Sequence, residues 1–318
     1  MQAFENINRD ELIKRKNELA EEYENYKKQG LKLDMSRGKP CTEQLNLSND
    51  LFKYAQNLFS EDGTDCRNYG IIDGITEAKK LFAELFDVKT EEIFIAGNSS
   101  LNLMYDLMAK AFNHGLNGFE KPWNKLEKIK FLCPCPGYDR HFAITQLFGV
   151  EMIIIPMKND GPDIDMIEDL VSQDETIKGM WAVPMYSNPT GITYSDDVVR
   201  RLANMKTKAP DFTIFWDNAY GLHHLYDTPD RLLNLIDECS KAGNPNRTYM
   251  FGSTSKVTFP GAGVAFMASS KENIDHIKKQ IAIQTIGYNK INMLLHTRFL
   301  KNAANVQEHM KKHAEIIR

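Results

Sequence analysis

The chain has 318 residues, of which 42% are hydrophobic and 26% charged, and a formal net charge of −4. That length and composition suit a folded core and exclude the weakly hydrophobic, highly charged class that stays disordered. The slightly acidic balance gives no basic field for nucleic acid, and no long charge-free apolar run offers a membrane span.

The opening residues show neither a basic segment before an apolar run nor an Arg/Ser-rich transit pattern, so a cytoplasmic protein is expected. Five cysteines at scattered positions form neither a disulfide framework nor paired zinc-binding modules, and they read as reduced thiols. Cys133-Pro134-Cys135-Pro136 has the wrong spacing for a redox pair, and its prolines favour an extended loop.

From about Asp10 to Lys28, Leu12, Leu19 and Tyr23 recur at roughly helical spacing among Glu and Lys, which predicts an exposed amphipathic helix ended by Gly30. Met35 to Pro40 reads as a loop, and Leu47 to Phe59 as a further helix. Beyond Arg67-Asn68-Tyr69-Gly70, short apolar runs alternate with longer periodic segments. Strands are expected at Ile93–Ala96, Ile129–Leu132, Met152–Ile155, Gly179–Val183, Thr213–Trp216, Tyr249–Phe251 and Val264–Met267. Helices are expected at Leu101–Phe112, Asp139–Phe148, Ile164–Val171 and Asp196–Lys206.

This rhythm predicts an α/β fold with a mostly parallel seven-stranded sheet flanked by helices. From Lys271 to Arg318 the pattern is helical with a break near Gly287, and the last helix has no terminating Gly or Pro, so it is expected to end by truncation.

The chemistry-bearing motifs fall at predicted strand ends, where open α/β sheets bind ligands. Ser253-Thr254-Ser255-Lys256 sets three hydroxyls and an amine beyond a strand. Hydroxyls suit a phosphate, and a desolvated lysine can attack a carbonyl; a solvated surface loop fits the same residues. Asp217 closes the apolar run Thr213-Ile214-Phe215-Trp216, where a buried carboxylate needs a partner such as a protonated pyridine nitrogen, unless it caps a helix.

Asn188, in Ser187-Asn188-Pro189-Thr190-Gly191, and Tyr220, in Asp217-Asn218-Ala219-Tyr220, offer an amide and a phenol to a phenolate oxygen, although turn motifs of this kind are often structural. Gly97-Asn98-Ser99-Ser100, before a predicted helix, makes an anion cradle or a plain serine cap. The adjacent His223-His224 read as structural, and no metal site is expected.

In this order the motifs resemble those of fold-type I pyridoxal-phosphate enzymes of the class I aminotransferase group, most closely a bacterial aspartate-aminotransferase-like subgroup. The likeness runs from about Ser36 to the end. It implies a Schiff base on Lys256, which then shuttles the substrate proton, and Asp217 on the ring nitrogen. It also implies Asn188 and Tyr220 on the ring oxygen, Tyr138 stacked on the ring, and Ser99, Ser100, Ser253 and Ser255 on the phosphate. Tyr69 would reach the phosphate of a neighbouring subunit in a homodimer, and Gly38 would lie by the substrate carboxylate. The implied reaction moves an amino group between an amino acid, L-aspartate or another dicarboxylic donor, and a 2-oxo acid.

The expected domains are residues 1–47 as an N-terminal helix and arm, 48–288 as the large cofactor domain, and 289–318 as a linking helix opening an incomplete small domain. Two departures stand out. Pro260-Gly261-Ala262-Gly263-Val264 lacks the arginine that the family places after its lysine to hold the phosphate. The family also continues past this chain's length with the arginine that grips the α-carboxylate, so weak activity is expected. A lyase using the same electron sink and a non-catalytic cofactor-sensing domain are the competing readings.

Overall fold

Apolar runs form the strands that frame the rest of the molecule, most of them covered on both faces, with Met152 and Ile154 left exposed in the run Met152–Ile155. The computed structural model describes residue 4 and residues 7–32, 38–116, 119 and 121–318; these fall into two compact units, Met1–Cys41 and Thr42–Arg318.

In the first unit, helix α1 (Arg9–Lys28) starts at Asn8, whose side chain accepts the Glu11 amide at 2.9 Å. Acidic residues in its first turn and lysines in its last suit the helix dipole. None of its residues is buried, and Gly30 follows it at φ +60°.

The second unit is built on eight strands: β1 (Ile93–Ile95), β2 (Lys130–Cys135), β3 (Glu151–Lys158), β4 (Gly161–Pro162), β5 (Ile177–Ala182), β6 (Thr213–Asp217), β7 (Thr248–Ser253) and β8 (Ala265–Ala268), in the order β1-β8-β7-β6-β5-β2-β3-β4. The eighth strand beyond the seven expected is β4, two residues of turn-forming Gly and Pro with no apolar run to betray it. Strands β3, β2, β5, β6 and β7 are parallel. Strand β8 runs against both β7 and β1, so β1 points the same way as the parallel set. The loops after β1, β2, β5, β6 and β7 therefore leave from one edge.

The helices are α2 (Thr42–Asn46), α3 (Thr76–Phe86), α4 (Ser100–His114), α5 (Asp139–Leu147), α6 (Ile164–Gln173), α7 (Asp196–Asn204), α8 (Leu235–Lys241), α9 (Lys271–Gln284), α10 (Lys290–Leu300) and α11 (Ala303–Ile317). Alternation along the strands divides the core in two. Ile93, Ile95, Ile214 and Trp216 pack with α3, α6, α7, α8 and α10. Phe94, Trp181 and Phe215 pack with α4, α5 and α9 on the other face. Burying each such large side chain contributes about 1.5–3 kcal/mol.

Three local expectations need correction. Leu47 to Phe59 is not one helix but a 3-10 turn over Asn49–Tyr54 followed by irregular chain, in which the Asn57 side chain accepts the Phe59 amide at 3.1 Å. Cys133-Pro134-Cys135 is extended but lies within β2, where pairing with β5 has ended at Leu132 and only β3 remains alongside, so proline sits at an unpaired edge. The C-terminal helical region breaks twice, at Gly287 and again at Lys301, which takes φ +63°.

Candidate active site

At the edge where the parallel strands end, β6 delivers Asp217, only 4% exposed. Its Oδ2 lies 3.1 Å from Nε2 of His141, while Oδ1 is buried with no hydrogen-bond partner. An isolated carboxylate oxygen in that position is costly unless a donor meets it. His141, on the first turns of α5, is held on its other side by stacking on Trp181 at 4.5 Å and 10°. Trp181 in turn donates from Nε1 to Thr145 Oγ1 at 2.8 Å. The motif reading missed His141; its signal is the position three residues after Tyr138, one helical turn along the same face. Tyr138 meets the imidazole edge-on at 5.1 Å, and burial raises its phenol above the usual range, with the Lys256 charge acting in the opposite sense.

The Asn188 loop is closed by the Gly191 amide on the Ser187 carbonyl at 2.6 Å, with Gly191 at φ +73° as the turn requires. Asn188 Nδ2 is 3.5 Å from the Tyr220 hydroxyl. Burial raises the Tyr220 pKa, the Asp217 charge adds to that, and the Asn188 contact opposes it. The Lys256 ammonium sits over the Tyr220 ring, 4.6 Å from its centre. Asn188 after β5, Asp217 and Tyr220 after β6, and Lys256 after β7 thus come from three strand ends to one place.

Next to them, Ser253 Oγ bonds Ser255 Oγ at 3.0 Å, and Ser255 Oγ bonds the Asn98 carbonyl at 3.2 Å, joining the loop after β7 to the loop after β1. Ser99 caps α4 without using its hydroxyl, and the Asn102 amide of the first turn meets the Ser99 carbonyl at 3.2 Å. Gly263 lies at the junction: a Cβ there would stand 3.2 Å from the Asn98 carbonyl, the Phe259 carbonyl and the Ser255 amide. Where the family's arginine is lacking, Asn292 of α10 instead holds the backbone, donating to the carbonyls of Ala262 at 3.0 Å and Gly263 at 2.8 Å.

Two expected residues are exposed to solvent. Tyr69 is 82% exposed at the surface, its loop pinned by Lys290, which donates to the carbonyls of Asn68 at 2.6 Å and Gly70 at 2.8 Å. Gly38 belongs to the Met1–Cys41 unit, where it is exposed with open space around it. The adjacent histidines diverge: His223 faces the Lys256 carbonyl and His224 the Tyr186 hydroxyl. No group of side chains suited to a metal ion occurs among the described residues. No helix among them is long and apolar enough to cross a membrane.

The mostly parallel sheet flanked by helices, with a buried carboxylate, a lysine and several hydroxyls along one edge, matches the aminotransferase fold. The family model described as aspartate amino-transferase matches residues 7–318, and the chain belongs to that family. It is 45% identical to an aminotransferase of Mycolicibacterium smegmatis over 99% of this chain and 74% of the relative. It is also 45% identical to the aspartate aminotransferase of Corynebacterium glutamicum, over 96% of this chain and 69% of the relative. A crystal structure of an aspartate transaminase from C. glutamicum superposes with a TM-score of 0.92 at 42% identity, covering 97% of this chain and 73% of that one.

Proposed function

We propose that this aminotransferase depends on pyridoxal phosphate and takes L-aspartate or another dicarboxylic amino acid as donor, with a 2-oxo acid as acceptor. The observation that carries the reading is the unpaired, buried Oδ1 of Asp217, oriented by His141 on the same edge as Lys256. A protonated pyridine nitrogen supplies the donor this oxygen lacks, so the residues fit the cofactor. When bound, that cofactor withdraws electrons from the substrate's α-carbon.

The chain's own residues then have distinct tasks. Lys256 would hold the group through Nζ, and its amine is the base placed to take the substrate's α-proton. Asp217 would meet the ring nitrogen through Oδ1, with His141 fixing the carboxylate plane at Oδ2. Asn188 and Tyr220 donate to the ring oxygen, and Tyr138 covers the ring face. Ser99, Ser100, Ser253, Ser255 and the α4 amides hold the phosphate in place of an arginine. Gly38 leaves room beside the substrate carboxylate.

The named relative from C. glutamicum supports the aspartate donor. In this reading residues 48–288 form the cofactor domain between an N-terminal arm and a linking segment from residue 289. The exposed Tyr69 supports a homodimer in which that phenol reaches the neighbouring site. Free thiols at Cys66, Cys133, Cys135 and Cys239 suit a reducing cytoplasm.

The test is absorption of the purified protein with pyridoxal phosphate, borohydride reduction and peptide mapping, followed by a donor panel with 2-oxoglutarate. Label on Lys256 and oxaloacetate formed from L-aspartate are expected. Label elsewhere refutes the site, and ammonia or carbon dioxide as product refutes the transfer. Sedimentation with cofactor tests the dimer.

A further inference from the structure

Three imidazoles from three separate elements meet three successive residues beginning at Lys256. His223, in the loop after β6, has Nε2 3.3 Å from the Lys256 carbonyl. His309, on α11, has Nε2 2.8 Å from the Val257 carbonyl. His296, on α10, has Nε2 2.9 Å from Thr258 Oγ1. None of these residues belongs to the motifs that define the site.

The partners fix the proton on each ring. A carbonyl only accepts, so His223 and His309 carry hydrogen on Nε2. The Nδ1 of His296 lies 2.8 Å from the Asn292 carbonyl and must donate there, which leaves its Nε2 bare to accept the Thr258 hydroxyl. Burial lowers the pKa of all three, so they act as neutral rings of defined tautomer.

The same turn is gripped from below by apolar contacts. Val257 is buried in a cluster with Leu81 of α3, Leu300 of α10, and Val306 and Met310 of α11. Thr258 also returns to the turn's start, with its amide 2.8 Å from the Thr254 carbonyl. Each imidazole thus contacts one residue of the turn, and His309 Nε2 also lies 3.2 Å from His313 Nε2 and 3.4 Å from Ser48 Oγ.

We propose that His223, His296 and His309 are positioning residues that fix the backbone of Lys256 and so aim its amine at the reacting carbon. The inference rests on the assignment of Lys256 as the covalent anchor. Displacement of a reacting group by about 1 Å can cost on the order of a hundredfold in rate, so loosening the turn acts on turnover more than on substrate binding.

The experiment compares the parent with His309→Leu and His309→Gln, the glutamine placing an amide N–H where Nε2–H stood. Expected for His309→Leu is a roughly ten- to hundredfold fall in kcat with KM unchanged, together with slower borohydride labelling of Lys256. The glutamine variant should recover most of both. Equal behaviour of all three proteins, or of leucine and glutamine variants alike, overturns the inference while leaving Lys256 as anchor. A parent that takes no label on Lys256 overturns the anchor and this inference together.

A second readout needs no variant and covers the case in which His309→Leu does not fold. In the 15N-histidine-labelled parent, His223 and His309 should be Nε2–H tautomers and His296 Nδ1–H, and pyridoxal phosphate should shift the His223 and His309 ring resonances. Other tautomers, or rings indifferent to cofactor, overturn the proposal.

Discussion

Substituting Asp217→Asn isolates a charge while keeping the shape. In the parent, Oδ2 accepts from His141 Nε2 at 3.1 Å and Oδ1 is buried without a partner. The asparagine oxygen must stay on His141, because an amide NH2 there would face the ring N–H. Its NH2 then occupies the place of Oδ1 and presents a donor to the cofactor's ring nitrogen, which is left unprotonated. The interaction lost is a charge-assisted hydrogen bond worth about 1.5–3 kcal/mol. If it is realised fully in the transition state, the half-reaction with the amino donor slows by roughly ten- to 150-fold. Single-turnover absorbance measures this directly, and a cofactor titration reports binding separately. A variant that reacts within about twofold of the parent would refute the pairing of Asp217 with the ring.

Three further outcomes follow from named contacts. Gly263→Ala puts a methyl group 3.2 Å from three backbone atoms of the phosphate loops; overpacking of about 1–3 kcal/mol should weaken cofactor affinity by tenfold or more while far-ultraviolet circular dichroism stays unchanged. Asp211→Ala strips the buried Lys178 ammonium of its partner at 2.7 Å and the Trp123 indole of its acceptor at 2.9 Å, so urea unfolding should show a loss of about 3–5 kcal/mol; a loss below about 1 kcal/mol contradicts this. Burial holds His296 down at about 4, below its ordinary value, so only the unfolded chain takes up that proton as pH falls. The stability it contributes is complete above about pH 6.5 and is lost between about 6.5 and 4, on the order of 3 kcal/mol, and a urea midpoint that stays flat from pH 7 to 5 would show that the ring is not held neutral.

The sheet was legible because strands such as Ile93-Phe94-Ile95 are apolar at every position, a pattern that survives without knowledge of neighbours. Strand β4 was not, since a Gly-Pro pair earns its strand geometry only from β3 beside it. In the candidate site, Lys256, Asp217, Asn188 and Tyr220 sit in short contiguous motifs, so their loops could be read locally. His141, His296 and His309 could not: each acts through a partner 76, 38 or 52 residues away, and nothing in the local pattern marks such a contact. Gly263 likewise looks like any loop glycine until Asn98 and Ser255 are brought against it.

The placement of β8 between β1 and β7 bears on how the chain is made. A chain emerging from the ribosome completes Ile93–Ile95 early but cannot seat it, because its pairing partner, Ala265–Ala268, is translated long afterwards. Until then an apolar edge and the Gly97-Ser100 loop behind it wait exposed, the situation in which nascent chains aggregate or recruit chaperones. The loop after β1, written first, is therefore joined to the loop after β7 only once β8 has arrived.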